Sequence, residues 1–533
     1  MKKCQIYNST YLKYLALSIL LLAGVLRYGG FDFSIPFIDH PNEPHYTFTA
    51  AGFSNSVYQR KEMDGYPPGI IYVNWIVLKL LCSSDQNPTV AIPFVRFLAI
   101  TFSLGTIFLM MQICFNARFY IAGFLAGLGW AITPLFVEYD RFAVAEPFQC
   151  FFIVLTFYFL IKYVYRSRES FYINAAYIAA CFAILFKYPS AIILLPVVFT
   201  DIFIKKKSIS LKDLFLDRAL IARAAVLSLF LLWLGFVYGA YSTAPSPEWA
   251  WRRHTVFHGI SFLTLKIFLI NIQKMFLTPC NPLNLTAVAH SDWSNGVVSY
   301  VLPITLAIYF IPGFLYEIRS GNRKYMNILF SSFIVLFIAA LSFFNPSYRH
   351  FIPLFPLFYI LSAIGCVGTT RLIYSVLKKQ KISIKISYCI AGAIPFVILI
   401  LSITNLLLPS FKNLQIRMKP DIRNEIITWM DTNLPPGRYL STLDLQSMFL
   451  KWSGYNGDHV KFHCFSLFRD SDPPVPLKYI KSNKIRYIII PLSMYKEWNR
   501  KHYDVLKHLF LIRTFNAEGK FVPRAYAMLY CKI

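Results

Sequence analysis

The sequence is poor in charged side chains. Of its 533 residues, 56% are hydrophobic and only 15% are charged, and the mean hydropathy is +0.50. A soluble protein carries about a quarter charged residues. Here apolar runs of about 20 residues, each long enough to cross ~30 Å of hydrocarbon, recur along the first four-fifths of the chain. The composition excludes an ordinary soluble protein and predicts a polytopic helical membrane protein.

Acidic residues are especially scarce. The chain has 53 Lys and Arg against 26 Asp and Glu, which gives a formal net charge of +27. Such an excess can indicate nucleic-acid binding, but here much of it falls in short loops between apolar runs. Cytoplasmic loops of membrane proteins have this property. We therefore expect membrane lipids as partners and no nucleic acid.

Metal-binding and redox spacings are missing too. The ten cysteines are scattered, mostly within apolar runs, where a free thiol acts as a small hydrophobic side chain. No CxxC or HExxH spacing occurs, which excludes the usual structural-zinc signatures. Cys464 and Cys531 lie in the less apolar C-terminal region, and the sequence leaves open whether they pair. The chain contains no internal repeat or low-complexity tract.

The apolar runs predict eleven membrane spans with the N-terminus inside. The first resembles a signal peptide but lacks a small-x-small cleavage site, so we expect an uncleaved span. Segments 67–82 and 260–279 are predicted to be interfacial helices, because a crossing by either would place basic loops outside. The predicted spans are 11–27, 92–113, 119–138, 147–165, 171–187, 189–204, 219–240, 297–318, 325–344, 351–374 and 387–409.

The predicted spans divide the chain into a membrane domain, 1–409, and an external soluble domain, 410–533. In the second part, "DIRNEIITWMDTNLPPG" predicts an amphipathic helix with Ile422, Ile426 and Trp429 on one face. "IRYIIIP" predicts a buried strand. We expect a small α/β domain on the outer side of the membrane.

Ionisable residues from distant parts of the chain are predicted to meet at the outer membrane face. Any one of them could be an interfacial anchor that reaches water, but so many on one face favour a site. Sugar transfer from a lipid phosphate suits this pattern, because the leaving phosphate needs Arg or Lys and the acceptor hydroxyl needs a carboxylate base. A single displacement would invert the anomeric centre. The residues are Asp39, Glu43, Glu138, Asp140, Arg141, Glu146, Lys187 and Arg349.

Four motifs occur in the order of a known family. "HPNEP" followed by "YPPGIIYVNWI" resembles the first external loop of the family 39-like, polyprenyl- or dolichyl-phosphate-sugar-dependent glycosyltransferases. "DRFAVAEP", "FKYPSAIILLP" and "YRHFIPLFP" are similar to later motifs of that family. Protein O-mannosyltransferases and lipid A aminoarabinose transferases belong to it. The resemblance implies the GT-C fold with an external C-terminal domain.

The resemblance also implies roles for individual residues. Glu43 matches the second acid of the family's Asp-Glu pair, whereas Asn42 stands where Asp is usual, so the base would be Glu43 or Asp39. His350 replaces the Tyr that follows the family's arginine. The implied catalytic acids are Glu43, Asp39 and Glu146; the donor-phosphate residues are Lys187, Arg349 and Arg141; the acceptor-loop residues are Asn42, His40 and Tyr66.

These observations predict a hexosyl- or pentosyltransferase of the inner (plasma) membrane with an external active site. It would take a polyprenyl-phosphate-linked sugar and a glycan, lipid or protein acceptor. The sequence identifies no certain cofactor, and it leaves open a divalent cation that bridges Glu43 and Glu146. A polysaccharide polymerase or ligase, a flippase or transporter of lipid-linked sugar, and a non-catalytic scaffold are the alternatives. The scarcity of acids in the middle of spans disfavours a transporter.

Overall fold

The structure is a computed structural model, and it describes the helical bundle and most of a C-terminal sheet. Asp39, His40, Tyr66, Arg349 and the predicted segments 260–279 and 297–318 lie wholly or almost wholly outside the described residues. The described residues are 9–32, 42–52, 68–81, 90–166, 168–205, 218–241, 279–280, 299–300, 315, 324–342, 352–380, 383–419, 422–435, 437–442, 462–468, 477–492, 496, 509–515 and 526–531.

Helices make up nearly all of the described chain before residue 420. Among the described residues, four apolar helical segments are long enough to cross a membrane, namely Tyr11–Tyr28, Ala91–Asn116, Ala145–Tyr165 and Ile352–Lys379. The helices are α1 (Ser9–Tyr28), α2 (Asn42–Gly52), α3 (Pro68–Leu81), α4 (Ala91–Asn116), α5 (Tyr120–Ile132), α6 (Pro134–Tyr139), α7 (Ala145–Tyr165), α8 (Ser170–Phe186), α9 (Leu194–Lys205), α10 (Arg218–Tyr241), α11 (Lys324–Ser342), α12 (Phe355–Lys379) and α13 (Ile384–Arg417); a 3-10 helix, Tyr188–Ile193, precedes α9.

Two predicted spans differ from the structure at a proline. The span predicted for 119–138 is two helices, α5 and α6, because Thr133 before Pro134 is extended, with ψ 121°. The span predicted for 189–204 begins as the 3-10 helix, with Pro189 in its first turn. Each break lies at the end of the bundle where the charged residues gather. At 14 residues, α3 is about 21 Å long and too short to cross a bilayer.

Close backbone approach between helices depends on small residues. A Cβ on Gly127 of α5 would lie 2.8 Å from Met111 Cγ of α4, and one on Gly69 of α3 would lie 2.8 Å from the carbonyl oxygen of Leu185. Helices in lipid associate through such packing, since lipid tails are as apolar as Leu. The Gly69 contact places the start of α3 against the end of α8, directly before Lys187.

Two buried apolar clusters lie side by side. The larger fills the bundle between α1, α4, α5, α7, α8, α11 and α12, with Trp130 stacked on Phe136 at 3.8 Å. The second lies at the end of the bundle and joins α2, α3 and the start of α4 to residues 142–148. It also includes Ile422, Ile426 and Phe515 of the C-terminal region, so that region packs on this end of the bundle.

The C-terminal region contains the helices α14 (Ile422–Asn433) and α15 (Leu477–Ser482) and the strands β3 (Gly437–Thr442), β4 (Phe462–Phe468), β5 (Ile485–Pro491), β6 (Leu509–Phe515) and β7 (Tyr526–Cys531). The strands form a mixed five-stranded sheet in the order β4-β3-β5-β7-β6. Strands β4, β3 and β5 run parallel to one another, while β7 is antiparallel to both β5 and β6. The predicted amphipathic helix and the predicted strand are both confirmed, as α14 and β5. A separate antiparallel pair of two-residue strands, β1 (Pro279–Cys280) and β2 (Ser299–Tyr300), precedes this region along the chain.

The strand order decides the question of Cys464 and Cys531. Cys464 lies on β4 and Cys531 on β7, with β3 and β5 between them. Three strand spacings separate them by about 14 Å. A disulfide needs Cα atoms within about 7 Å. The two cysteines therefore cannot pair within one chain.

Candidate functional site

The segment 133–145, between α5 and α7, organises one end of the bundle. Its two acids, Glu138 and Asp140, are buried, and so is Glu146, the residue that follows the segment. Each is paired with a basic residue from a different part of the chain. The predicted convergence of charged residues at one end of the bundle is thus observed for the described members of the set.

Asp140 is held by α1 and α4. Arg27 Nε donates to Asp140 Oδ2 at 2.9 Å, and Ser103 donates to the same oxygen. The Arg27 guanidinium also donates to the carbonyl oxygens of Ala131 and Trp130 at 2.9 and 3.1 Å. Those carbonyls end α5 and have no partner within the helix. Arg27 therefore fixes the end of α5 and the following turn together.

Glu138 is held by the end of α13. Arg417 donates to Glu138 Oε1, and Asn413 Nδ2 donates to Oε2 at 2.8 Å. Asn413 Oδ1 in turn accepts from Arg417 Nε at 3.0 Å. These buried contacts explain why α13 continues eight residues beyond the predicted span end at 409.

Glu43, the predicted base, lies at the start of α2 and is fully buried in an ion pair. Arg96 of α4 binds it through two parallel hydrogen bonds, Nε to Oε1 and Nη2 to Oε2, each 2.7 Å. The backbone N–H of Ala143 donates to Oε1, also at 2.7 Å. Both oxygens are therefore engaged by hydrogen-bond donors, and the fully buried carboxylate offers no exposed oxygen to an acceptor hydroxyl. This geometry supports a positioning role for Glu43.

Glu146 and Lys187 form the more open pair. Lys187 Nζ lies 2.7 Å from Glu146 Oε1, and their side chains are 14% and 4% exposed, respectively. Lys187 follows the last residue of α8, where the Gly69 contact brings α3 close. The two residues stand at the ends of the neighbouring helices α8 and α7.

Arg141 has no carboxylate partner among the residues the structure describes. Its Nη2 donates to the carbonyl oxygen of Leu26, but its buried Nε and Nη1 have no hydrogen-bond acceptor. Burial, and to a smaller extent the positive charge of Arg27, lower the pKa of the Arg141 guanidinium to about 9. It still carries its charge at neutral pH. A buried cation with unused donors is a place for an anion.

The described residues do not include four of the predicted site residues, namely Asp39, His40, Tyr66 and Arg349. Of Asn42, only the backbone is described. Three basic residues were not predicted: Arg27, Arg96 and Arg417. Arg96 carried a signal, since it is the only charged residue in the predicted span 92–113, and intramembrane charges are rarely without a role. Phe142 also joins the site, with the guanidinium groups of Arg96 and Arg417 at 6.0 and 5.7 Å from its ring centre.

The described acids do not fit a resident divalent ion. No group of three or more His, Cys, Asp or Glu in the described part of the chain is arranged to hold a metal. Both oxygens of Glu43 already bind Arg96, and Glu146 is paired with Lys187. A metal between the two glutamates would have to displace both cations.

Comparisons with known proteins agree on the architecture. Residues 66–243 match the family model described as dolichyl-phosphate-mannose-protein mannosyltransferase. The archaeal oligosaccharyltransferase AglB from Archaeoglobus fulgidus, solved with an inhibitory peptide and a dolichol-phosphate, superposes with a TM-score of 0.52 at 12% identity, covering 92% of this chain and 70% of that one. The chain has the GT-C fold.

A second solved structure extends over almost the whole of both chains. ArnT from Cupriavidus metallidurans, in the apo state, covers 98% of this chain and 97% of that one, with 11% identity and a TM-score of 0.48. The comparison with curated protein sequences gives no match. The GT-C fold predicted from the motif resemblance is confirmed by the AglB superposition, and the comparisons agree with a multi-pass membrane protein.

Proposed function

We propose that this protein is an integral membrane glycosyltransferase that moves a sugar from a polyprenyl phosphate to a hydroxyl group of an acceptor on the external face of the plasma membrane. The acceptor hydroxyl loses its proton to a carboxylate, and its oxygen attacks the anomeric carbon. The bond between that carbon and the phosphate oxygen breaks, and the polyprenyl phosphate leaves with the electron pair. One such displacement inverts the anomeric centre.

The observation that carries the proposal is the surplus positive charge at this end of the bundle. Glu43, Glu138, Asp140 and Glu146 are each neutralised by a partner, and Arg141 is left over. A phosphate that gains negative charge as it leaves would bind the unused donors of Arg141. Lys187, at the more open pair, is placed to help, and Arg349 is the third predicted phosphate ligand.

The base is assigned by exclusion among the predicted acids. Glu43 is occupied by Arg96 and the Ala143 N–H, so we assign to it the positioning of the loop that carries Asp39 and His40. Glu146 has the more open carboxylate and is the proposed base. Asp39 is the alternative. Asn42, His40 and Tyr66 are proposed to line the acceptor side.

An intramembrane ion pair bears on the transporter alternative. Arg223 of α10 binds both oxygens of Asp201 of α9 at 2.7–2.8 Å and donates to Asn174 of α8 at 2.7 Å. These contacts join three helices, and the acid is fully engaged by its partner. The pair therefore supports a fixed helix attachment better than a translocation pathway.

Two measurements test the proposal. In a strain that lacks the protein, one polyprenyl-phosphate monosaccharide should accumulate on the outer leaflet. Accumulation of longer lipid-linked polysaccharides would favour a polymerase or ligase, and accumulation on the inner leaflet would favour a flippase.

The second measurement is binding of undecaprenyl phosphate to the purified full chain in nanodiscs. Arg141→Ala should weaken it at least tenfold, as expected for loss of a charged hydrogen bond. Arg168→Ala, an exposed arginine before α8, serves as the matched control. Equal binding by the two variants would show that Arg141 is not a phosphate ligand.

A further inference from the structure

Directly beneath the Glu146–Lys187 pair lies a second polar pair, Gln149 and Ser190. Gln149 Nε2 donates to Ser190 Oγ at 2.7 Å, and both residues are fully buried. Gln149 lies one turn after Glu146 on α7, and Ser190 lies one 3-10 turn after Lys187, with its N–H bonded to the Lys187 carbonyl at 3.0 Å. The two pairs therefore lie one above the other between α7 and the 3-10 helix.

Gln149 retains an unused acceptor. Its Oε1 is buried and accepts no hydrogen bond from any described residue. Burying an amide oxygen without a donor destabilises a fold, and nearly all buried polar side chains in proteins have a hydrogen-bond partner. Thr156, on the same helix, shows the usual arrangement of a buried polar side chain. Its hydroxyl donates to the Phe152 carbonyl oxygen at 2.8 Å.

The surroundings restrict what can bind to this oxygen. Gln149 lies on the boundary between the two apolar clusters, with Cys150 and Ile153 in one and Phe148 in the other. Phe148, the preceding residue, stacks on Phe186 of α8 with a ring-centre distance of 5.0 Å. In such surroundings a neutral donor such as a hydroxyl group is favoured over a cation, which would be costly to desolvate.

We propose that Gln149 binds a hydroxyl group of the donor sugar and that it determines sugar specificity. This inference rests on the proposed function. Gln149 lies one turn further into the bundle than Glu146. A donor anchored in the membrane would reach this depth more readily than an acceptor that comes from outside. Ser190 holds the amide so that Oε1 is oriented before the sugar arrives. A hydroxyl placed there would satisfy the buried oxygen.

The test separates the sugar from the lipid phosphate. Binding to the full chain in nanodiscs is measured for undecaprenyl phosphate and for the same lipid carrying mannose, glucose or a pentose. For the preferred sugar-lipid, the wild type should bind more tightly than to the bare lipid. Gln149→Leu should lower the ratio of the affinity for the sugar-lipid to the affinity for the bare lipid about tenfold, as expected for loss of one buried hydrogen bond. It should leave binding of undecaprenyl phosphate unchanged. Ser190→Ala, which frees the amide, should remove about threefold.

Each outcome has a distinct meaning. If no sugar-lipid binds the wild type better than the bare lipid, the proposed donor class is wrong and this inference fails with it. If the wild type shows the difference and both Gln149→Leu and Ser190→Ala keep it, the donor class stands and the role of Gln149 is refuted. A Gln149→Leu variant that melts lower, with the difference in affinity intact, would mean that the amide serves only packing or binds a buried water, and would refute the proposal. Thr156→Val, a buried polar change deeper on α7, is the control and should leave both affinities unchanged.

Discussion

At the residue scale, the bidentate contact between Arg96 and Glu43 separates two roles that sequence alone merged. In the sequence, a general base that takes the proton of the acceptor hydroxyl cannot be told apart from an acid that holds a loop in place, because both are acids near a membrane surface. Both carboxylate oxygens of Glu43 accept hydrogen bonds from Arg96, and Oε1 also accepts one from the Ala143 N–H. These contacts tie α2, α4 and the turn before α7 together. Its loss should therefore act first on structure.

A double-mutant cycle tests this role. Glu43→Gln and Arg96→Gln should each lower the melting temperature, because each leaves a buried charge without its partner, at a cost of about 3–5 kcal/mol. The double variant should be more stable than the two single effects predict, and its transfer activity should partly recover. Activity that stays about a hundredfold down in a double variant of restored stability would instead identify Glu43 as the base.

Glu146 is the acid for which we expect a chemical effect. Glu146→Gln should lower kcat by about two orders of magnitude, as loss of a general base does, while binding of undecaprenyl phosphate persists. Glu169→Gln, before α8, is the matched control. Near-normal turnover in Glu146→Gln together with an inactive Asp39→Asn would move the base to the first external loop.

At the element scale, the junction of α4 and α5 shows how a local motif can carry strain. Arg118 adopts φ 62° directly after the last turn of α4. Its N–H bonds the Phe115 carbonyl at 3.0 Å, and the Phe119 N–H bonds the Cys114 carbonyl at 2.7 Å. This is a Schellman motif in which arginine occupies the position that usually holds glycine.

Glycine should fit that position better. We expect Arg118→Gly to stabilise the protein by about 0.5–1 kcal/mol, because removal of the side chain relieves the left-handed conformation by more than the added freedom of the unfolded chain costs. Melting temperatures in detergent should rank Gly above Arg, with Arg118→Val lowest. A lower melting temperature for the glycine variant would show that the Arg118 side chain makes a contact worth more than the strain.

The sheet gives a second element-scale prediction. Since β3 and β5 separate β4 from β7, the chain should carry no disulfide between Cys464 and Cys531. Mass spectrometry of unreduced peptides after oxidation should find no link between them within one chain. Such a link in folded monomer would contradict the strand order, and Cys464→Ser should leave the melting temperature almost unchanged.

At the scale of the whole molecule, the ion pairs of Glu43, Glu138, Asp140 and Glu146 occupy one end of the helical bundle and join elements that are far apart in sequence. Under the predicted topology that end is external. Reporter fusions should then place residue 206 inside and residues 43, 140 and 450 outside. If positions 43 and 206 lie on the same side, the predicted placement of the basic loops on the inner side is wrong, and so is the external active site.

The sequence alone predicted the long apolar helices of the described chain, because the length and apolar character of a span are local properties. It also predicted the amphipathic helix α14 and strand β5. It placed Glu146, Lys187 and Arg141 at one end of the bundle, because a charged residue tends to lie where an apolar run stops. Thr133–Pro134 would have been a further local signal, since a proline at that point breaks the predicted span into α5 and α6.

The tertiary structure decided which acid meets which base. Glu43 and Arg96 are 53 positions apart, and Glu138 and Arg417 are 279 apart, so neither pairing leaves a local pattern. Only the packed bundle shows that Glu43 is fully engaged, that Arg141 keeps two donors unused and that Gln149 keeps an unused acceptor. The physical reason is that burial and partner choice, rather than residue type, determine whether an ionisable group supports the fold or remains available for a ligand.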